Sequence, residues 1–308
     1  MRLISYRPKE IPGNFRMGLM IEENVYDLQE HYSSLAKTKK TGEHAEWIDR
    51  MVPSDPGSFY RLGEQTLKVA KETEQFIKQQ GGQAVSKEVV ELGTPVPEPS
   101  KIICIGKNYA AHAAEMKGEV SDFPVLFAKF SNALIGPNED IEKPSATKKL
   151  DYEVELGIVI GREASNVKKE DALGYIAGYT IGNDISARDL QKRTPQWLQG
   201  KTLDRSTPVG PWVVSAGEIE DPSNLSIRSY INGELRQESN TSHLIYDVPY
   251  LIEFISGLIT LKPGDIILSG TPDGVGVAMD PPQFLEDGDI VRLEIERIGS
   301  MENKVRKV

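Results

Sequence analysis

Asp151-Tyr-Glu-Val-Glu-Leu-Gly-Ile-Val-Ile160 decides how this chain is read. The apolar run after Glu155 predicts a strand over residues 152–160. The two-residue period of a strand places Glu153 and Glu155 on one face and Val154 and Leu156 on the other. At about 3.3 Å per residue the two carboxylates leave the backbone roughly 6.6 Å apart, close enough to converge on one cation. The run Ile158 to Ile160 argues for a central strand, where two neighbouring anions are costly without a counter-charge. Two readings fit the motif: a half-exposed strand with an acidic outer face, or a cation site.

Working outward, short apolar runs alternate with turn chemistry, the pattern of a strand-rich domain. Strands are expected at Lys101 to Ile105, Gly174 to Ile181, Trp212 to Ser215 and Ile266 to Ser269. Asn232-Gly233, between Arg228 to Ile231 and Glu234 to Gln237, suits the positive backbone angles of a two-residue hairpin turn. Asn108 to Met116 favours helix, and so does Asp247 to Ser256, with Pro249 in its first turn and Gly257 at its end. Lys262-Pro-Gly-Asp265 reads as a tight turn into the strand that follows. Thr94-Pro-Val-Pro-Glu-Pro-Ser100 carries three prolines in seven residues, which enforce extended backbone and mark a connector. The division falls there, with a small N-terminal α/β domain over 1–94 and a catalytic domain over 95–308. In the first part, Met17 to Ile21 and Val25 to Leu28 form a hairpin pattern, and Glu64 to Gln80 a helix closed by Gly81-Gly82. The polar stretch from His31 to Tyr60 reads as loop with short helical pieces, and His31 and His44 as solvated.

Chemistry-bearing residues recur elsewhere. Asp184, in Asn183-Asp-Ile-Ser-Ala-Arg-Asp-Leu-Gln191, stands at a strand end. If the segment coils, Asp184, Arg188 and Gln191 share a side; the plain alternative is an N-capping Asp184 ion-paired to Arg188. His112 and Glu115 are three apart, so a helix points both the same way, either as a solvated face or as a general base whose tautomer the carboxylate fixes. Ser269-Gly-Thr-Pro-Asp-Gly-Val-Gly276 is a glycine-rich bend after a strand, where backbone N–H groups and the Thr271 hydroxyl could hold a carboxylate. It lacks the spacing and ending of a phosphate loop. Lys201 alone says nothing.

Composition narrows the classes. The net charge of −10 disfavours nucleic acid, because Lys and Arg are interspersed with acids rather than clustered. Cys104 is the single cysteine, so neither an intramolecular disulfide nor a cysteine-rich zinc site is available. No apolar run approaches the roughly 20 residues of a membrane span, and the N-terminus lacks the pattern of a secretory signal, so a cytoplasmic protein is expected.

Five motifs, taken together and in this order, resemble the fumarylacetoacetate hydrolase family: Gly106-Lys-Asn-Tyr-Ala-Ala-His112 with Glu115, Asp151 to Glu155, Asn183 to Gln191, Gly200-Lys201 and Ser269 to Gly276. The match runs from about residue 100 to the C-terminus. The resemblance implies an α+β, strand-rich mixed β-roll, usually a homodimer, with Mg2+ or Mn2+ held by Glu153, Glu155 and Asp184. An all-oxygen donor set also suits a hard cation on chemical grounds. It further implies His112, Glu115 and Lys201 as catalytic groups, and Arg188, Gln191, Gly270 and Thr271 as substrate contacts. The tyrosine-degrading members carry a fourth acidic ligand before the catalytic histidine, and Lys101 to Ala111 contains no acid. This points away from fumarylacetoacetate and towards small 2-oxo acids. The leading expectation is a hydrolase cleaving a carbon–carbon bond of acylpyruvates. Oxaloacetate decarboxylation or a hydroxymuconate-type isomerisation is the alternative, and a non-catalytic metabolite-binding protein the third class. Residues 107–123, weakly anchored in sequence, are expected to act as a lid.

Overall fold

The computed structural model describes residues 1–11, 13–39, 45–118 and 120–308. The strand Val154–Ile160 is buried along all seven residues and pairs antiparallel on both sides, with Ile176–Asn183 and with Ile266–Leu268. Its alternation divides two cores. Val154, Leu156, Ile158 and Ile160 join a core that includes Tyr179, Ile227, Leu251 and Val291. Val159 joins another with Leu3, Phe59, Ile77, Ile102 and Leu268. Glu153 and Glu155 therefore lie on neither a solvated nor an acidic outer face; both are buried.

Around this strand the described residues form a twelve-stranded mixed sheet and a five-stranded sheet. The smaller sheet contains the expected hairpin, Ser226–Ile231 with Glu234–Asn240, turning at Asn232 (φ 53°) and Gly233 (φ 82°). The larger sheet continues into the N-terminal third, because Arg2–Pro8 pairs with Thr207–Ser215 through Arg2 opposite Val214 and Leu3 opposite Val213. Thr94–Ser100 has no regular secondary structure, yet the residues on its two sides share one sheet and one core.

The helix Glu64–Gln80 spans the expected residues and buries Val69, Ala70, Thr73 and Ile77. The stretch from His31 to Tyr60 is more ordered than its polarity suggests. Leu28–Thr38 is an eleven-residue helix capped by the Asp27 carboxylate, which accepts from Glu30 N at 2.9 Å. His31 lies on its inner side, buried, with Nδ1 2.7 Å from the Asp27 carbonyl oxygen, so it is not solvated. Tertiary burial of Leu28, Leu35 and Ala36 stabilises this helix where local composition alone is weak. His44 lies outside the described residues. No described helix is long and apolar enough to cross a membrane.

The sheet's register positions one end for chemistry. Ile102–Gly106 and Ile266–Leu268 run parallel as neighbours, so the segments that follow them, with His112 and with Gly270-Thr271, emerge at the same end. The antiparallel strand Val154–Ile160 begins at that end and Ile176–Asn183 finishes there, with Val154 opposite Asn183. Residues distant in sequence are thereby delivered to one place.

Candidate active site

At that end of the sheet the backbone locks two acids together: Asp184 N donates to the Glu153 carbonyl (2.9 Å), and Glu153 N to Asn183 Oδ1 (3.0 Å). Glu155 follows one period along the same face, its Oε2 accepting from Gly270 N at 2.8 Å. One carboxylate oxygen from each of Glu153, Glu155 and Asp184 lies within 4.8 Å of the others, and all three residues are buried. Three cations surround them. Lys201 Nζ donates to Glu153 Oε2 at 2.7 Å and closely to Asp184 Oδ2. Lys129, fully buried, donates to Asp184 Oδ1 at 2.8 Å and to the Ile185 carbonyl at 3.1 Å. Arg188 Nε donates to Asp151 Oδ2 at 2.8 Å. Arg188 Nη2 approaches Glu153 Oε1 at 2.7 Å but off the line of a hydrogen bond, which leaves donor capacity on its fork.

With Asp151 included, four carboxylates face three cations, and the excess falls on Glu155. Burial, then the charges of Asp184 and Glu153, push its carboxyl well above the ordinary range. Glu153 is held below that range: burial opposes its ionisation, but Lys201 and Arg188 outweigh it. Lys201 is raised despite burial, by Asp184 and Glu153. A buried group of three carboxylates with uncompensated charge, one of them bonded by a single backbone N–H among the described residues, fits a hard divalent cation in donor type and in charge.

The histidine lines the same cavity as this group. The short helix Ala110–Glu115 buries His112, and His112 Nδ1 lies 2.7 Å from Glu115 Oε1. Glu115 Oε2 accepts from Gly274 N at 2.9 Å, so its carboxylate is held at both oxygens. The contact fixes the Nδ1–H tautomer and leaves Nε2 as the basic nitrogen. Asn108 anchors the start of this segment: its Nδ2 donates to the carbonyls of Ser269 (2.7 Å) and Tyr246 (3.0 Å), and its Oδ1 accepts from Tyr246 N (2.8 Å). Tyr109 is buried beside it. The first residues of the expected lid are thus firmly tied, and any movement belongs beyond them.

A cavity of about 60 Å³ collects His112, Glu153, Glu155, Asp184, Arg188, Gln191, Lys201 and Thr271, walled by Phe127 and Trp197. Glu115 sits behind His112. Gly270 is not on the wall; its N–H is engaged by Glu155. Asp184 and Arg188 do not pair with each other, because Arg188 turns to Asp151 and Glu153. Sequence reasoning missed Lys129, Asp151 as the anchor of Arg188, and Gln237, which contacts Thr271. Asp151 had a signal, two residues before Glu153 on the same alternation. The other two had none, since neither lies near a motif in sequence. A larger hollow of about 510 Å³ at Arg2, Trp212 and Gly299 gathers no comparable set of carboxylates.

Residues 101–306 match the family model described as fumarylacetoacetate (FAA) hydrolase C-terminal. The chain belongs to the fumarylacetoacetate hydrolase family. It is 38% identical over 312 residues to a mitochondrial oxaloacetate tautomerase of Xenopus laevis, covering 99% of this chain and 90% of that one. Among solved structures it resembles 5-carboxymethyl-2-hydroxymuconate delta-isomerase from Mycobacterium smegmatis, with TM-score 0.73, 33% identity and coverage of 100% and 99%. It also resembles maleylpyruvate hydrolase from Sphingobium sp. SYK-6, with TM-score 0.75, 29% identity and 100% coverage of both chains. It is a member of an enzyme family, with the strand-rich α+β fold of its relatives.

Proposed function

We propose that this chain is a Mg2+- or Mn2+-dependent enzyme that moves a proton at the carbon next to the carbonyl of a small 2-oxo acid, with interconversion of the keto and enol forms of oxaloacetate as its reaction. The observation that carries this reading is the placement of the His112–Glu115 pair and the Glu153, Glu155 and Asp184 carboxylates on one small cavity. Similarity along nearly the whole chain to an oxaloacetate tautomerase favours that substrate.

Glu153, Glu155 and Asp184 would hold the cation, which when bound would supply Lewis-acid polarisation of the 2-oxo group and make the neighbouring C–H more acidic. His112 Nε2 takes the proton from that carbon and passes it to the former carbonyl oxygen, which gives the enol; the reverse transfer regenerates the keto form. Glu115 stabilises the imidazolium and holds the ring in place. The remaining Arg188 donor, Gln191 and Thr271 orient carboxylate oxygens. Lys201 neutralises Glu153 and Asp184 and places positive charge beside the developing enolate oxygen.

Cleavage of an acylpyruvate is the second reading. The same His112 could activate water, and the similarity to maleylpyruvate hydrolase supports it. Purified protein with Mg2+ or Mn2+ is offered oxaloacetate, acetylpyruvate and fumarylpyruvate. The expected result is accelerated keto–enol exchange of oxaloacetate without pyruvate release. Cleavage of either acylpyruvate with no effect on oxaloacetate exchange refutes the tautomerase reading in favour of the hydrolase. A homodimer is part of the proposal and is checked by sedimentation.

A further inference from the structure

Gln237 lies on Glu234–Asn240, the edge strand of the smaller sheet, and is fully buried. It makes four hydrogen bonds. Its Oε1 accepts from Val154 N (3.1 Å), the peptide between Glu153 and Glu155, and from Ser229 Oγ (3.0 Å). Its Nε2 donates to Thr271 Oγ1 and to the Pro272 carbonyl, both at 2.8 Å.

The orientation of the amide is fixed independently at each end. A backbone N–H can only donate, so the oxygen must face Val154; a carbonyl can only accept, so the nitrogen must face Pro272. Thr271 Oγ1 is consequently an acceptor towards Gln237. A hydroxyl has one proton, and the Thr271 proton is thereby turned away from Gln237, on a side chain that lines the cavity. Among the described residues no protein acceptor takes it.

We propose that Gln237 is a positioning residue that sets the polarity of Thr271, making it a hydrogen-bond donor to an anionic oxygen of the ligand. By the same amide it holds the strand of Glu153 and Glu155 in register with the Thr271 turn. The backbone around this contact is tight: a Cβ on Gly274 (φ 97°) would stand 2.1 Å from the Arg236 carbonyl oxygen. The proposal deepens the reading given above and rests on it for the class of ligand, a 2-oxo acid carboxylate.

Oxalate is the probe, titrated calorimetrically into the full chain with Mn2+, so that binding is read without turnover. Gln237→Glu keeps the acceptor for Val154 but presents Thr271 with an oxygen that captures the hydroxyl proton. Oxalate affinity is expected to fall roughly 10- to 100-fold, the scale of one hydrogen bond to a charged group. Thr271→Val should fall by a similar factor, Thr271→Ser should retain affinity, and Gln237→Glu should add little in the Thr271→Val background. Gln237→Met, apolar and of similar length, repeats the test should the carboxylate prevent folding; thermal melts verify each variant. Unchanged affinity in a folded Gln237 variant, or full additivity with Thr271→Val, overturns the assignment. Wild-type protein that binds oxalate but exchanges no oxaloacetate refutes the functional reading, while this cycle still judges Gln237 on its own.

Discussion

Replacing Glu115 with Gln tests the base assignment more sharply than removing His112, because the structure dictates which way the new amide must turn. Glu115 touches His112 Nδ1 at 2.7 Å and Gly274 N at 2.9 Å through separate oxygens. In Glu115→Gln the amide oxygen must accept from Gly274 N–H, so the NH2 group faces His112 Nδ1 and demands that this nitrogen be unprotonated. The ring proton then moves to Nε2, the nitrogen that faces the cavity, and the base is blocked. Two effects combine. Loss of a charge-assisted hydrogen bond to the developing imidazolium is worth about 1.5–3 kcal/mol, or about 10- to 150-fold in rate. Reversing the tautomer removes the proton acceptor itself, at roughly 10²- to 10⁴-fold. The expected result is a fall in kcat of at least about 10²-fold with KM little changed. The assay follows the ultraviolet absorbance of enol-oxaloacetate at saturating Mg2+, beside exchange of its C3 hydrogens with deuterium. His112 and Glu115 have side-chain exposures of 8% and 18%, and the substitution preserves size and shape, so the melting temperature should move little. A Glu115→Gln variant that exchanges at the wild-type rate shows that His112 is not the base.

Exhaustive chelation should abolish turnover, and Mn2+ should restore it; a Glu153→Ala, Glu155→Ala double variant that still binds Mn2+ with native affinity contradicts the ligand assignment. Because burial, Asp184 and Glu153 raise the Glu155 carboxyl well above its ordinary value, the folded metal-free protein keeps a proton that the unfolded chain releases. Its stability therefore falls as pH rises from the ordinary carboxylate range through the raised value. A divalent cation displaces that proton, so the increment in Tm on adding Mn2+ should grow with pH across this window, and a pH-independent increment counts against it. Hydrogen exchange should show Asn108 and Tyr109 protected in the free protein, with protection beyond Ala113 rising when oxalate and Mg2+ bind. Equal protection of this later stretch in both states excludes a moving lid.

Local pattern made much of this molecule legible. The alternation of Glu153 and Glu155 with Val154 and Leu156 is a property of any strand, and the strand's apolar continuation already implied a central position. The Asn232-Gly233 hairpin and the helix Glu64–Gln80 follow from turn chemistry and from 3.6-residue periodicity, which act between near neighbours. The order of five short motifs was enough to point to the family. What the chain alone did not decide depends on strand pairing between residues far apart in sequence. Only the parallel register of Ile102–Gly106 with Ile266–Leu268 brings His112 and Thr271 to the same end. Arg188 could have paired locally with Asp184, but the two-residue ladder of Leu150-Asp151 with Ser186-Ala187 sets it against Asp151 instead. Lys129 and Gln237 lie in strands whose spacing shows nothing unusual, and each reaches the site because another element is folded onto it. A hydrogen bond between residues 34 or 55 positions apart leaves no periodic trace along the chain, because its geometry exists only once the sheets are assembled.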